Sequence, residues 1–257
     1  MGPAIMVKSK EDLAAMRRAG QVAAQALQTV VEAVRPGVTT HDLDGIAEDR
    51  IRHLGGVPSF LGYRGFPASI CTSVNDEVVH GIPGPRQLRE GEIISVDLGA
   101  VVEGFHGDLA VTVPVGKVSD EVDRLLRVTR EALAIGIRAV RPKGRLGNVS
   151  AAIQKYVEEH GFSVVREFAG HGIGRRLHEE PQIPNFGRPG NGVPLRPGMT
   201  LAIEPMVNMG TADVMMDPDG WTVRTRDHKP SAHFEHTVAV GEDGPIVLTG
   251  LPTEESV

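Results

Sequence analysis

The stretch EIISVDLGAVVEGFHGDLAVTV, residues 92–113, decides how the rest of the chain is read. Ile93, Ile94, Val96 and Leu98 surround Asp97, and Asp108 directly precedes Leu109, Val111 and Val113. Apolar, β-branched runs of this kind predict buried strands, so two carboxylates stand where burial is expected. An isolated ionised carboxylate in an apolar interior costs several kcal/mol unless a cation or hydrogen bonds compensate it. Something positive is therefore expected beside both. A hairpin turning at Val102-Glu103 sets Asp97 opposite Asp108, with side chains roughly 5 Å apart. Turning at Glu103-Gly104 leaves them on one face as diagonal neighbours, and only a one-residue slip separates them. Two like charges this close either share a proton or share a metal.

The surrounding chain repeats itself. EAVRPGVTTHDLDGIAEDRIRHLGG from Glu32 resembles RAVRPKGRLGNVSAAIQKYVEEHGF from Arg138, and LREGEIISVDLGA from Leu88 matches LRPGMTLAIEPMV from Leu195. HGDLAVTV from His106 then matches HFEHTVAV from His233, with a longer connection in the second copy. Asp97 falls on Glu204 and Asp108 on Glu235, so each acid meets an acid. The matches keep one order, which points to duplication.

Periodicity supports two similar halves, roughly 9–116 and 117–250, within one domain spanning 1–257. Ser9 with Asp12 reads as a cap for a helix through Leu13, Met16, Ala23, Leu27, Val30 and Val34, which Pro36-Gly37 stops. A second helix follows Thr40 and ends at Gly55-Gly56. Ser119 opens a third that Pro142 closes, and a fourth runs from about Asn148 to His160. Strands are expected near 69–74, 92–102 and 108–115, then near 163–168, 199–208 and 234–248. The fold class is α+β, with the two sheets meeting about a pseudo-twofold axis where the four acids converge.

Composition narrows the function. The 257 residues, 40% hydrophobic and 23% charged, describe an ordinary globular chain with a core of useful size. A net charge of −6 with dispersed Lys and Arg provides no basic face for a nucleic-acid backbone. The single cysteine, Cys71, excludes an internal disulfide framework and a Cys-rich zinc site. No apolar run reaches the roughly 20 residues of a membrane span, and the N-terminal stretch has no secretory pattern. A cytoplasmic protein that engages neither nucleic acid nor membrane is expected.

Four converging carboxylates carry a charge of about −4, which two divalent cations would neutralise. EFAGHGIGRRLHEEP supplies His171 as a neutral nitrogen ligand, with His178 seven residues on. Oxygen-rich coordination with one imidazole fits Mn, Fe, Co or Zn in a catalytic role, and paired metals fit assisted hydrolysis. One Asp in a strand is most often an edge or turn residue, but the duplicated set reads differently. GHGIG lacks the spacing and the Lys of a phosphate loop. His80 alone reads as a turn histidine.

SVNDEVVHGIPG, VDLGAVVEGFHGD, GHGIGRRLHEEPQIPN, AIEPMV and HFEHTVAV together resemble the signature segments of type I methionine aminopeptidases over nearly the whole chain. The resemblance implies the pita-bread fold, a central curved antiparallel sheet covered by helices. It implies removal of an N-terminal methionine ahead of a small second residue. Asp97 would then chelate one metal, His171 and Glu204 the other, with Asp108 and Glu235 shared between them. Glu204 would accept a proton from the attacking water, His178 would stabilise the oxyanion, and His80 would contact the scissile amide or the next residue. A methionine pocket lined by Phe60, Tyr63, Phe66, Cys71, Leu177 and Trp221 is implied as well. Phe60, Arg64, Phe66 and Leu177 depart from the smaller group, His, Tyr and aromatic that are often found there. A monovalent cation held by backbone carbonyls near Asn75, Glu77 and Ser231 is also implied, as are monomeric enzyme and nascent-chain substrates near the ribosome exit. The alternatives are an X-Pro aminopeptidase or prolidase-like hydrolase on the same scaffold, and a non-catalytic binding paralogue.

Overall fold

The computed structural model describes residues 5–250. Helix α1 (Lys10–Ala33) opens with a reciprocal capping box between Ser9 and Asp12, and α2 (Thr40–His53) opens with another between Thr39 and Asp42. Helix α3 (Asp120–Ala139) is capped by Ser119 and carries Asp120, Glu121 and Asp123 in its first turn, where the helix dipole favours acids. Helix α4 (Leu146–Glu159) starts two residues earlier than its sequence suggests and lacks a side-chain cap. Its first N–H groups are taken up by a distant loop instead: Leu146 N–H donates to Val193 O (3.0 Å) and Gly147 N–H to Asn191 O (2.9 Å). No helix among the described residues is long and apolar enough to cross a membrane.

A nine-stranded antiparallel sheet spans both halves. Its main path runs Val57–Pro58, Ile93–Val102, Phe105–Pro114, Glu235–Val240, Thr200–Ile203, Ala169–Gly172 and Glu179–Pro184. Ile70–Val74 adds to Ile93–Val102, and Pro245–Val247 to Glu235–Val240. The halves join where Glu235 pairs with Ala110 and His236 with Leu109. The strands carrying Asp97 and Asp108 thus lie on one side of that seam, and those leading into Glu204 and Glu235 on the other.

The hairpin turns at Glu103-Gly104, which corrects the simplest expected register. Asp97 pairs with Ala110 and Asp108 with Gly99, so the two acids are diagonal neighbours on one face rather than directly opposed. Both turn residues have positive φ (52° and 75°). A turn one residue earlier would force the β-branched Val102 into that region, where Gly104 fits without steric cost.

Three expected strands are shorter than their apolar runs. The 199–208 run divides into Thr200–Ile203 and Met206–Asn208 on either side of Glu204-Pro205, because Pro205 has no N–H to donate to the ladder. The 163–168 segment contributes only Ser163–Val164, and 234–248 breaks into Glu235–Val240 and Pro245–Val247. Glu77–Val79, Glu179–Pro184, Val214–Met216 and Val223–Thr225 are strands that the sequence did not announce.

Helices α1 and α2 pack their apolar faces on the first-half strands through Ala23, Leu27, Val30, Leu43 and Ile51, and α3 and α4 cover the second half through Leu125, Leu133, Val149 and Ile153. The contact of α1 with the sheet is close at Gly107, where an added Cβ would stand 2.5 Å from Gly20 N and 2.6 Å from Gly20 Cα. Both obstacles are backbone, so neither can rotate away. Gly107→Ala is therefore expected to cost about 3 kcal/mol or more by forcing helix and sheet apart. A urea midpoint equal to that of the unsubstituted protein, at unchanged slope, would contradict this close packing.

Candidate metal centre

Each acid reaches the seam for a local reason. Asp97 and Asp108 alternate onto one face of adjacent strands, Glu235 begins the strand that crosses the seam, and Glu204 stands where the chain leaves the Thr200–Ile203 strand. Asn185 Nδ2 donates to the Glu204 carbonyl at 3.0 Å and holds that departure point. Asp97, Asp108, Glu204, Glu235 and His171 all line one cavity of about 180 Å³. Asp108 and Glu235 are 4% and 3% exposed, too little for water to solvate their charge.

The electrostatics are those of a cation site. Burial pushes the Asp97 carboxyl up to about 7. Burial, followed by the neighbouring acids, holds Asp108, Glu204 and Glu235 well above the usual carboxylate range. Asp97 Oδ1, Asp108 Oδ1 and Glu235 Oε1 are buried and make no hydrogen bond among the described residues. Buried oxygens without partners are expensive, and a divalent cation is the group that would compensate several at once.

His171 is set for the same task. Its Nδ1 faces the Gly172 carbonyl at 2.8 Å, and because a carbonyl only accepts, Nδ1 carries the proton. The lone pair of Nε2 is then free, 3.6 Å from Glu204 Oε1 and 3.9 Å from Asp108 Oδ2. Burial lowers its pKa to about 4, so the ring is neutral near pH 7. Nε2 of His171 with single oxygens of Asp108 and Glu235 forms a group close enough to hold one ion. The donor set therefore fits divalent metal.

Above this floor the cavity wall is aromatic. Phe66 and Trp221 meet edge to face at 5.1 Å, and Trp221 also approaches His80 at 6.4 Å. Phe60, Cys71 and Leu177 complete the same wall and are buried. Cys71 pairs with Asp97 across the sheet, and burial pushes its thiol well up, which keeps it protonated. His80 sits in the left-handed region (φ 62°), and burial lowers its pKa to about 4. Arg224 bonds Asp217, Asp76 and Glu77 together, tying the Trp221 loop to the strand that leads into His80.

His178 also lines the cavity, stacked on Tyr63 at 5.3 Å, with Nδ1 2.8 Å from the Tyr63 hydroxyl. Burial first, then the neighbouring His171, lowers its pKa to about 3. Arg64 stands at the rim with its guanidinium 5.4 Å from the Tyr63 ring centre.

Every residue expected at the site from sequence thus borders this one cavity. The sequence reading missed Phe168, Val79 and Met206 in the wall, and His233 beneath the floor. His233 carried a weak signal, since it stands only two residues before Glu235, although the two belong to separate strands, Ser231–His233 and Glu235–Val240. The wall residues had none, because they come from separate short strands and loops.

Comparison with known proteins agrees with this geometry. Metallopeptidase family M24 matches residues 14–242. The chain is 52% identical to methionine aminopeptidase 1 of Bacillus subtilis over 95% of this chain and 99% of that one. It is 51% identical to the methionine aminopeptidase of Clostridium perfringens, over 95% and 98%. Among solved structures, methionine aminopeptidase from Thermotoga maritima superposes with a TM-score of 0.95 at 47% identity, covering 96% of this chain and 99% of that one.

Proposed function

This chain belongs to metallopeptidase family M24, and from that membership and the site's geometry we propose that it removes the N-terminal methionine from nascent proteins and peptides whose second residue is small. Its fold is the pita-bread fold, in which the duplicated halves share one antiparallel sheet. The observation that carries the proposal is the placement of five metal-ligand side chains on the floor of a single cavity whose wall is aromatic and apolar. The whole chain, 1–257, acts as one catalytic domain with halves near 9–116 and 117–250.

Asp97, Asp108, His171, Glu204 and Glu235 would hold two divalent cations drawn from Co, Mn, Fe and Zn. Such ions supply Lewis acidity toward a carbonyl oxygen and lower the pKa of water toward neutrality. The residues themselves do the rest. Phe60, Tyr63, Phe66, Cys71, Leu177 and Trp221 receive the methionine side chain, whose flexible thioether packs against rings and sulfur. His80 contacts the scissile amide or the next residue. Glu204 accepts a proton from the attacking water. With Nδ1 of His178 engaged by Tyr63, its Nε2 serves the carbonyl oxygen as negative charge develops.

The 75–77 turn and Ser231 would hold a monovalent cation. In support, the Ser231 N–H donates to the Asn75 carbonyl at 2.9 Å, which brings the two segments together. A monomeric enzyme is part of the same reading. The proposed setting is the cytoplasm, near the ribosome exit where nascent N-termini emerge.

The test is release of the first residue from Met-Ala-Ser, Leu-Ala-Ser, Met-Leu-Ser and Ala-Pro-Ala by chelator-stripped protein, with Mn, Fe, Co or Zn restored singly. Metal-dependent cleavage confined to Met-Ala-Ser is expected. Cleavage only of Ala-Pro-Ala would assign the chain to the X-Pro class, and folded protein silent with every metal would leave the binding-paralogue reading.

A further inference from the structure

The Glu204 carboxylate stands between two imidazoles, and only one of them has a role so far. On its Oε1 side is His171 Nε2 at 3.6 Å, and on its Oε2 side is His233 Nε2 at 3.7 Å. The same His233 nitrogen lies 4.0 Å from Glu235 Oε2. His233 is 1% exposed, and its Nε2 makes no hydrogen bond among the described residues.

These separations are too long for hydrogen bonds. They suit atoms that converge on a common ion: donors each about 2.1 Å from one metal stand roughly 3.0 to 3.6 Å apart, according to the angle between them. A slight contraction around a bound ion brings both His233 contacts into that range. Glu204, His233 and Glu235 form a three-residue group with ligand atoms within 4.8 Å of one another, as do Asp108, His171 and Glu235. The two groups share Glu235.

The backbone of His233 is fixed for this purpose. The Thr112 hydroxyl donates to the His233 carbonyl and accepts from its N–H, both at 2.8 Å. Its one proton being spent there, Thr112 must accept from Ser95 at 2.8 Å. The internal repeat gives a comparison. His106 and Asp108 correspond to His233 and Glu235, but the His106 ring is engaged by Ser59 at 2.9 Å. Only the second-half histidine is left for the metal floor.

We propose that His233 is a sixth protein ligand of the metal centre, through Nε2, on the Oε2 side of Glu204, opposite His171. The inference rests on the metalloenzyme reading above and extends it from one imidazole to two. A second nitrogen makes the centre softer and shifts its preference toward Co, Fe and Zn over Mg.

The test uses the whole protein, stripped and reloaded with two equivalents of Co(II). Each ligating imidazole contributes one solvent-exchangeable, hyperfine-shifted N–H proton resonance. Two such resonances are expected in the unsubstituted protein, one in His171→Gln and a different one in His233→Gln. Calorimetric titration of His233→Gln should show one Co(II) equivalent weakened about tenfold or more. A single resonance in the unsubstituted protein, lost with His171 and kept in His233→Gln, would overturn the proposal. The spectrum of the unsubstituted protein decides the question even if a variant fails to fold. Because it measures ligation without peptide substrate, a protein with two imidazole signals but no peptidase activity would refute the functional reading and leave this one standing.

Discussion

Glu204→Gln is expected to lower kcat on Met-Ala-Ser by about 10³-fold, with KM changed little, which corresponds to about 4 kcal/mol of transition-state stabilisation. The substitution keeps the shape of the side chain and removes both its charge and its capacity to accept a proton. The position leaves little slack, since the main chain is pinned by Asn185 and the carboxylate lies between His171 and His233. Burial, then Asp97 and Asp108, hold the Glu204 pKa well above the ordinary range when no metal is present. The measurement is steady-state kinetics on protein whose metal content has been determined. Folded, metal-loaded Glu204→Gln with full activity would remove Glu204 from the chemistry, whereas loss of activity that tracks loss of metal would reduce its role to ligation.

Chelation should change both the stability and its dependence on pH. A metal at a free concentration about 1,000 times its Kd adds about 4 kcal/mol. In a chain of this length, stripping it should lower Tm by roughly 10 °C at pH 8. For the metal-free protein, the raised carboxylates make the folded state bind more protons than the unfolded state above pH 4, so stability rises as pH falls. The rise of Asp97 from 3.8 to about 7 corresponds to about 4 kcal/mol of destabilisation, absent below its unfolded pKa and complete above its folded one. Asp108, Glu204 and Glu235 act in the same direction.

The buried histidines act in the opposite direction. His80 and His171 at about 4, and His178 and His233 at about 3, remain neutral in the folded state while their unfolded counterparts protonate below about 6.5. Their contribution is present above that pH and is lost as pH falls through it. Metal-free protein should therefore gain stability between pH 8.5 and pH 7, and the gain should level off below about 6.5, where the four histidines oppose the four acids. With metal bound, the carboxylates stay ionised and the gain above pH 7 should vanish. Thermal melts across pH 5.5 to 8.5, with and without chelator, provide the check. Metal-free stability that falls between pH 8.5 and pH 7 would show that the four acids are ionised in the metal-free fold.

The sequence by itself determined the duplication, the four helices and the identity of the acids. Those features are written in short-range chemistry: capping residues at Ser9 and Ser119, apolar periodicity, Pro-Gly stops, and acids repeated in matching strands. His171 was legible because the acids required a neutral nitrogen and the glycines around it marked a close approach. The tertiary structure alone decided the register that makes Asp97 and Asp108 diagonal, since that choice depended on which residue accepts positive φ at the turn. It also decided where α4 begins, because its first N–H groups are satisfied by the 191–193 loop. The position of His233 beside Glu204 belongs with these, since the two are far apart in the second half and meet only when Met206–Asn208 pairs with Ser231–His233. Local sequence specifies what a segment can become, whereas long-range contacts specify which polar atoms it will face, and that second property makes these residues a site.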